Sequence, residues 1–176
     1  EHVYPLGGAT EWLRMELQNK IEYGLFGAKH REHHLRLAAS GFSPDSVAII
    51  GVDPHGVMAK NIEEAYPNAL KIAIDLNGEK IAQSKAEIDK NPNISHKFTW
   101  ISGDATEILP QIDKVDLIDA QLVLIWGKDK APLFYNPENG QFPTRKILVQ
   151  SMSNALSDRG LLSVSDLVAR DWHVQA

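Results

Sequence analysis

A glycine turn and two carboxylates carry the clearest chemical signal in this sequence. Gly51 ends one apolar run, and Asp75 ends the next apolar run, 24 residues further along the chain. A glycine turn over a helix N-terminus can hold a phosphate or carboxylate, and an acid at this distance can bind a ribose. Because a carboxylate has two acceptor oxygens, one side chain can accept from both ribose hydroxyls at once. The pattern predicts the first half of a nucleotide-binding βαβ unit.

The turn does not match the common dinucleotide or nucleotide-triphosphate loops. A nicotinamide or flavin site requires G-x-G-x-x-G, whereas this turn offers only Gly51 and Gly56. The G-K-[ST] sequence of a P-loop is absent. A second acid, Asp104, directly follows the third predicted strand and can accept a hydrogen bond from an adenine amino group. The sequence therefore favours a nucleoside-containing ligand other than a dinucleotide or a nucleoside triphosphate.

Three histidines are spaced so that they share one side of a predicted helix. His30, His33 and His34 stand at positions i, i+3 and i+4, an arrangement that can present ligands to a metal ion. No nearby carboxylate clearly completes the set, so we expect a solvated helix face and predict no metal site. His30, His33 and His173 remain candidate general bases, and no catalytic residue is assigned.

Strands and helices alternate along the chain, as judged from hydrophobic periodicity and turn residues. The sequence predicts helices at 10–23, 28–39, 57–66, 78–89 and 144–156, with a shorter turn or helix at 105–109. It predicts strands at 46–51, 70–75, 97–102 and 161–167, a strand opening at 115, a loop over 127–143 and a tight turn at 157–160. Strands separated by helices indicate an α/β, Rossmann-like, doubly wound sheet, mostly parallel, with helices on both faces.

Composition restricts the class of protein further. The 176 residues suit one domain, and 43% apolar with 23% charged residues is typical of a globular chain. The absence of cysteine excludes disulfides, thiolate catalysis and cysteine zinc sites. A net charge of −5 argues against a nucleic-acid partner. We expect no membrane span, no secretion signal and a cytoplasmic location.

These features, in this order, resemble the class I S-adenosylmethionine-dependent methyltransferases, and in particular their small-molecule group. The resemblance covers almost the whole chain and has several independent parts. They are Tyr4-Pro-Leu-Gly-Gly8 followed by Glu11, Arg14 and Gln18, then Gly51, Asp75, Asp104-Ala105, Gln121-Leu-Val-Leu124, and the segment from Ala155 to Ser163.

The resemblance implies that a methyl group passes from S-adenosyl-L-methionine to an O, N or C atom of a small molecule. It implies a helical lid or cap at 1–40 over a Rossmann-like core at 41–176, both within one structural domain. It also implies no nucleic-acid or membrane partner, and leaves a homodimer open. The residues expected to bind the cofactor are Tyr4, Gly51, Asp53, His55, Asp75, Leu76, Asp104, Ala105 and Gln121.

The turn departs from the D/E-x-G-x-G-x-G pattern of that family. Ile49 stands in place of the acid, and Asp53 and His55 occupy positions that are usually glycine. Glycine lets the backbone approach a ligand closely and adopt unusual dihedral angles. We therefore expect the side chains of Asp53 and His55 to project against the amino-acid end of the cofactor and weaken its binding, while the adenosine half is held normally.

The strand count also departs from the family, which carries seven strands. Five are recognised here, so the C-terminal hairpin is expected to be missing or to lie outside this sequence. Two alternatives stay open. The first is a catalytically impaired relative that binds the cofactor poorly, or binds only a protein partner. The second is a nicotinamide-dependent oxidoreductase, disfavoured by the turn and by the absence of a Tyr-x-x-x-Lys pair.

Overall fold

The computed structural model describes residues 26–121 and 143–165, which form a five-stranded sheet in the order β3-β2-β1-β4-β5. Every pair of neighbouring strands is parallel. The predicted α/β Rossmann-like architecture is thereby confirmed, including its five strands. Their bounds are β1 Ser46–Ile50, β2 Leu70–Asp75, β3 Phe98–Ser102, β4 Val115–Gln121 and β5 Leu156–Ser165.

The helices lie between the strands close to where the sequence places them. The predicted helix at 10–23 and the loop at 127–143 fall on residues outside those described, apart from Pro143, where a helix begins. None of the described helices combines the length and apolar character needed to cross a membrane. The helices are α1 at 26–39, α2 Val57–Ala65, α3 Gly78–Asp89, α4 Pro92–Ser95, α5 Ala105–Ile108 with a 3-10 turn at Leu109–Gln111, and α6 Pro143–Ala155.

Asparagine side chains start two of these helices. Asn77 accepts hydrogen bonds from the amides of Glu79 and Lys80 and so caps α3. Asn91 stands just beyond the end of α3 and caps α4 through the amide of Asn93. Because a capping oxygen satisfies amides that lack a partner within the helix, each asparagine fixes a helix start. The predicted helix at 78–89 is confirmed, and a one-turn helix follows it.

Side chains alternate between the two faces of the sheet, and each face has its own apolar core. On one face, Val47 and Ile49 of β1 pack in a cluster that also includes Ile62 of α2 and Ile88 of α3. On the other face, Ala48 and Ile50 join Ile118 of β4 with Leu148 and Met152 of α6. The sheet is therefore covered on both faces, as a parallel sheet requires.

The chain runs outward from the centre of the sheet in both directions. From β1 it passes through α2 to β2 and then to β3 at one edge, whereas β4 lies on the opposite side of β1 and β5 beyond it. The order of strands thus reverses between β1 and β4. In open α/β sheets, ligands bind at the carboxyl ends of the strands beside such a reversal. The fold directs attention to the residues that follow β1, β2, β3 and β4.

The predicted tight turn at 157–160 falls inside β5, where the chain folds back so closely that a Cβ on Gly160 would lie 3.0 Å from the Ser157 carbonyl oxygen. Helix α6 ends at Ala155, and β5 begins at the next residue. Val115 of β4 is paired with Leu156, but Leu117 is paired with Leu161, so five residues of β5 advance against two of β4. The surplus residues are accommodated as a tightly folded bulge within the strand, and Ser157 at its start donates to the carboxylate of Asp116 at 2.8 Å.

Candidate functional site

The carboxyl ends of β1, β2 and β3 lie side by side at one edge of the sheet. Ile50 is paired with Ile74, and Asp75 is paired with Ser102, so Gly51 and Asp75 leave their strands at the same level. The Gly51 amide donates to the carbonyl of Ile74 at 2.9 Å, and its φ of 82° lies in the left-handed region that favours glycine. The turn after β1 is thus fixed directly beside the acid that ends β2.

The carboxylate of Asp75 is held by two backbone amides. Its Oδ2 accepts from Val52 N at 2.9 Å, and its Oδ1 accepts from Asn77 N at 2.7 Å. Each carboxylate oxygen can accept a further hydrogen bond. Because the side chain is only half-buried, the geometry leaves it able to bind a diol at the carboxyl end of β2.

Asp104, which follows β3, caps α5. Its Oδ1 accepts from Thr106 N at 2.8 Å and from Thr106 Oγ1 at 2.7 Å. No residue in the described ranges donates to its Oδ2, so one oxygen can accept from a ligand while the other holds the helix. Leu76, 43% exposed, follows Asp75 along the same edge. The capping role does not compete with the predicted contact to an adenine amino group.

The side chain of Asp53 is turned into the protein, and the expectation that it projects from the turn is wrong. Only 2% of Asp53 is exposed. Its Oδ1 accepts from the amides of His55 and Val57, and its Oδ2 accepts from the amide of Met58, all at 2.9–3.0 Å. Gly56, the residue before α2, has no side chain with which to cap the helix. The unpartnered amides and positive dipole end of α2 therefore draw the Asp53 carboxylate inward.

The predicted binding residues divide into three groups. Gly51, Asp75, Leu76, Asp104 and Ala105 are brought together at the carboxyl edge of the sheet, whereas Asp53 is buried and His55 is exposed on the turn. Tyr4 and the side chain of Gln121 lie outside what the structure describes, and the predicted contacts of both stay predictions.

A polar cluster also lies inside the protein, between α1 and β4. His30 Nε2 lies 2.8 Å from Asp119 Oδ2, and His34 Nε2 lies 3.1 Å from Asp119 Oδ1. The exposed fractions are 4% for His30 and zero for His34 and Asp119. The expected solvated helix face is therefore wrong for His30 and His34. A carboxylate near the histidines exists, supplied by β4 and not by the neighbouring sequence.

Further hydrogen bonds fix the orientation of the His30 ring. The side-chain amide of Asn61 donates to Gly27 O at 2.8 Å and to His30 Nδ1 at 3.2 Å. Since His30 Nδ1 accepts, its Nε2 carries the proton that is donated to Asp119. Burial raises the pKa of the Asp119 carboxyl, but the hydrogen bonds from His30 and His34 outweigh burial and hold that pKa well below its usual range. Asp119 is therefore a carboxylate.

Tyr66 completes the cluster on the other side of His34. Its hydroxyl lies 3.2 Å from His34 Nδ1 and donates to the His34 carbonyl at 3.4 Å. Burial, and then the charge of Asp119, raise the pKa of Tyr66 to about 12. The hydroxyl therefore keeps its proton at neutral pH and lies within hydrogen-bond distance of His34 Nδ1.

The sequence carried part of the signal for this cluster. His30 and His34 stand one helical turn apart, and Asp119 lies in an apolar strand where a charge must find a partner. Asp119 is 89 positions from His30 and 85 positions from His34 in the chain. Only the docking of α1 against β4 brings them together.

His33 projects from the same helix into a cleft of about 540 Å³ between α1 and β5. Its Nε2 lies 3.3 Å from Ser163 Oγ. Partial desolvation, and then the neighbouring imidazole of His34, lower the pKa of His33. His30 also lines the cleft, but both of its ring nitrogens are engaged. Of the two candidate bases within the described residues, His33 is the one whose imidazole can exchange a proton with a molecule in the cleft.

No family model matches the sequence, and no curated protein matches it. The fold does match solved structures. The plantazolicin methyltransferase BpumL in complex with SAH is similar over 92% of this chain and 55% of its own, with a TM-score of 0.63 and 19% identity. The N-methyltransferase NodS from Bradyrhizobium japonicum WM9 is similar over 81% of this chain and 69% of its own, with a TM-score of 0.58 and 17% identity.

A third match has a different activity in its name. The precorrin 8w decarboxylase of Methanobacterium thermoautotrophicum is similar over 78% of this chain and 62% of its own, with a TM-score of 0.53 and 18% identity. The chain thus spans little more than half the length of several of the structures it matches. At these identities the likeness concerns architecture. The chain has the Rossmann-like fold that these methyltransferases share.

Proposed function

We propose that the chain binds S-adenosyl-L-methionine at the carboxyl ends of β1, β2 and β3 and transfers its methyl group to a small molecule. The proposal depends mainly on one observation: three features lie next to one another where the adjacent strands β1, β2 and β3 end. They are the Gly51 turn, the amide-held carboxylate of Asp75, and Asp104 with one oxygen to which no described residue donates. The likeness to SAH-bound BpumL supports the same ligand class.

Each part of this ligand has a residue that can bind it. Asp75 would accept from the two ribose hydroxyls, and Asp104 Oδ2 would accept from the adenine amino group. Gly51, with its left-handed backbone, would let the ligand approach the turn. Asp53 lies beneath the turn, so its charge does not meet the amino-acid end of the ligand directly. This inward position weakens the case for a binding-impaired relative, which rested on a damaged turn.

The cofactor supplies a methyl group on a sulfonium, which is already electrophilic. The protein is then required chiefly to position the acceptor atom and to exclude water. The acceptor, an O, N or C atom, uses its electron pair to form the new bond to carbon as the carbon–sulfur bond breaks. For an O–H or N–H acceptor, we propose that His33 receives the proton, because its imidazole faces the cleft.

Residues 1–40 are proposed to form the cap of this site within a cytoplasmic protein. Helix α1 is the described part of that cap, and it is fixed to the sheet through His30 and His34. The segment before it would close over the bound cofactor. Hydrogen exchange in residues 3–20 should slow when SAH is added, and equal exchange with and without SAH would refute a cap.

Calorimetry with three ligands tests the proposal and separates its alternatives. S-adenosylhomocysteine (SAH) and S-adenosylmethionine should each bind at one site per chain, and NADH should not bind. Heat from NADH alone would instead support an oxidoreductase. SAH binding without methyl transfer to any nucleophile in a small-molecule panel would support a non-catalytic relative. No heat from either sulfur ligand would overturn the assignment of the site.

A further inference from the structure

We propose that His30, His34 and Asp119 form a buried structural site for one transition-metal ion of the Zn²⁺ type. The three side chains come from α1 and β4, and the atoms they offer to an ion all lie within 4.8 Å of one another. The proposal does not rest on the cofactor assignment, because ion binding is measured without any cofactor.

The distances suit an ion as well as they suit hydrogen bonds. Each imidazole Nε2 faces a different oxygen of Asp119, at 2.8 and 3.1 Å. Adjacent ligands that bind one ion at about 2.1 Å stand about 3 Å apart when they meet at a right angle. Two nitrogens and both oxygens of one carboxylate would therefore supply four donor atoms once the side chains close around the ion.

The donor set and its burial indicate which ion and which role. Imidazole nitrogen favours zinc and its neighbours, whereas Mg²⁺ and Ca²⁺ take oxygen ligands. All three side chains are almost fully buried, and closed sites of this kind stabilise a fold rather than expose an ion to substrate. His30 also lines the cleft between α1 and β5, which gives an ion a route inward. The bound ion would tie α1 to β4.

Binding of an ion would move the imidazole proton of each histidine from Nε2 to Nδ1. The groups that face Nδ1 differ between His30 and His34. An ion at Nε2 requires the proton of a neutral imidazole to reside on Nδ1, where an acceptor must meet it. For His34, the oxygen of Tyr66 is that acceptor, since its own proton is directed at the His34 carbonyl. For His30, Asn61 now donates, so its amide must turn and give up Gly27 O.

Asn61 is therefore expected to lower the affinity for the ion. Replacing it should raise that affinity, and a gain in affinity cannot result from loss of folding. Asn61→Asp places an acceptor beside His30 Nδ1 and should tighten Zn²⁺ binding about 10-fold, the scale of changes in groups that support metal ligands. The ligand variants Asp119→Asn and His34→Gln should weaken binding at least 10-fold. His33→Gln is the matched control, because it removes an imidazole from the same helix outside the ligand set.

The chelator-treated protein is titrated with Zn²⁺ alone, followed by calorimetry, and separately with Co²⁺ alone, followed by visible absorption. We expect one tightly bound ion per chain, a higher melting temperature on saturation, and unchanged binding in His33→Gln. Absence of stoichiometric binding by the wild type would overturn the site. So would equal binding by the wild type and the folded ligand variants. If those variants do not fold, a failure of Asn61→Asp to tighten binding overturns it.

Discussion

The imidazole of His30 and the carboxylate of Asp119 lie 2.8 Å apart, although 89 positions separate them in the chain. The contact joins the first turns of α1 to the middle of β4. Since Asp119 is fully buried and charged, its two imidazole partners offset a desolvation penalty of several kcal/mol. Much of the docking of α1 on the sheet therefore depends on one carboxylate.

Replacing that carboxylate should destabilise the metal-free protein strongly. In Asp119→Asn, one oxygen becomes an NH₂ donor that faces an N–H of a histidine, so a buried donor loses its acceptor. We expect the free energy of unfolding to fall by about 3–5 kcal/mol, measured by urea denaturation with chelator present. His33→Gln, which alters an exposed side chain of the same helix, should change it by no more than about 1 kcal/mol. Equal effects would contradict a special role for Asp119.

Asp75 should contribute to cofactor affinity through its paired acceptor oxygens. Asp75→Ala should weaken SAH binding by about 1.5–3 kcal/mol, because the ribose hydroxyls lose a charged acceptor. Asp113→Ala is the control. It removes an exposed acid that precedes the amino end of β4, away from the carboxyl ends of the strands, and this variant should bind SAH like the wild type. Circular dichroism should accompany the calorimetry, since Asp75 also holds the amides of Val52 and Asn77. Unchanged affinity in a folded Asp75→Ala protein would refute the ribose contact.

Asp53 should matter for stability and not as a direct ligand contact. Asp53→Ala removes the acceptor of three amides at the start of α2, and we expect a loss of about 2–3 kcal/mol in urea denaturation. If Asp53 and His55 projected against the cofactor, as the sequence predicts, the double change Asp53→Gly, His55→Gly would tighten SAH binding. With Asp53 beneath the turn, we now expect that variant to be less stable without binding SAH more tightly. Tighter binding would restore the original interpretation.

Asp116 should make part of the stability depend on pH in the acid range. Burial raises its pKa, but hydrogen bonds from Ser157, Asp45 and Ser46 outweigh burial, so the folded-state pKa is lowered. The stabilisation is then present above the unfolded pKa of about 3.9 and is lost as pH falls through the folded value. Asp116→Asn should flatten this acid limb in unfolding measured between about pH 5 and pH 2. An unchanged slope would contradict the assignment.

The buried pair of Lys71 and Glu63 should respond unequally to removal of its two members. Glu63 binds Lys71 through Oε2 and Lys97 through Oε1, at 2.8 Å for the latter. Burial lowers the pKa of Lys71, which is only 1% exposed. Lys71→Met leaves Glu63 paired with Lys97 and should cost less than about 1 kcal/mol. Glu63→Gln leaves Lys71 buried without its anion and should cost about 3 kcal/mol or more, by urea denaturation.

The alternation of elements and most of their bounds could be read from the sequence. Helix α3 is an example, since Asn77 at its start and Asn91 just beyond its end define a segment whose hydrogen bonds are local. The sequence also predicts that Gly51 and Asp75 lie side by side, because the carboxyl ends of parallel strands meet at the same edge of a sheet. These features depend on neighbours in the chain or on the direction of strands, and both are visible in a linear pattern.

Other features were decided only when the elements packed. Whether Asp53 faced a ligand or the start of α2 depended on amides left unpartnered by a helix whose preceding residue is glycine. The bulge in β5 depended on its register against β4, in which five residues of β5 advance against two of β4. The sequence by itself determined the doubly wound sheet and the carboxylates at its edge, because periodicity and turn residues act over a few positions. Only the tertiary structure brought Asp119 to His30 and His34, because the burial of a charge is compensated by whichever distant side chains the packing places against it.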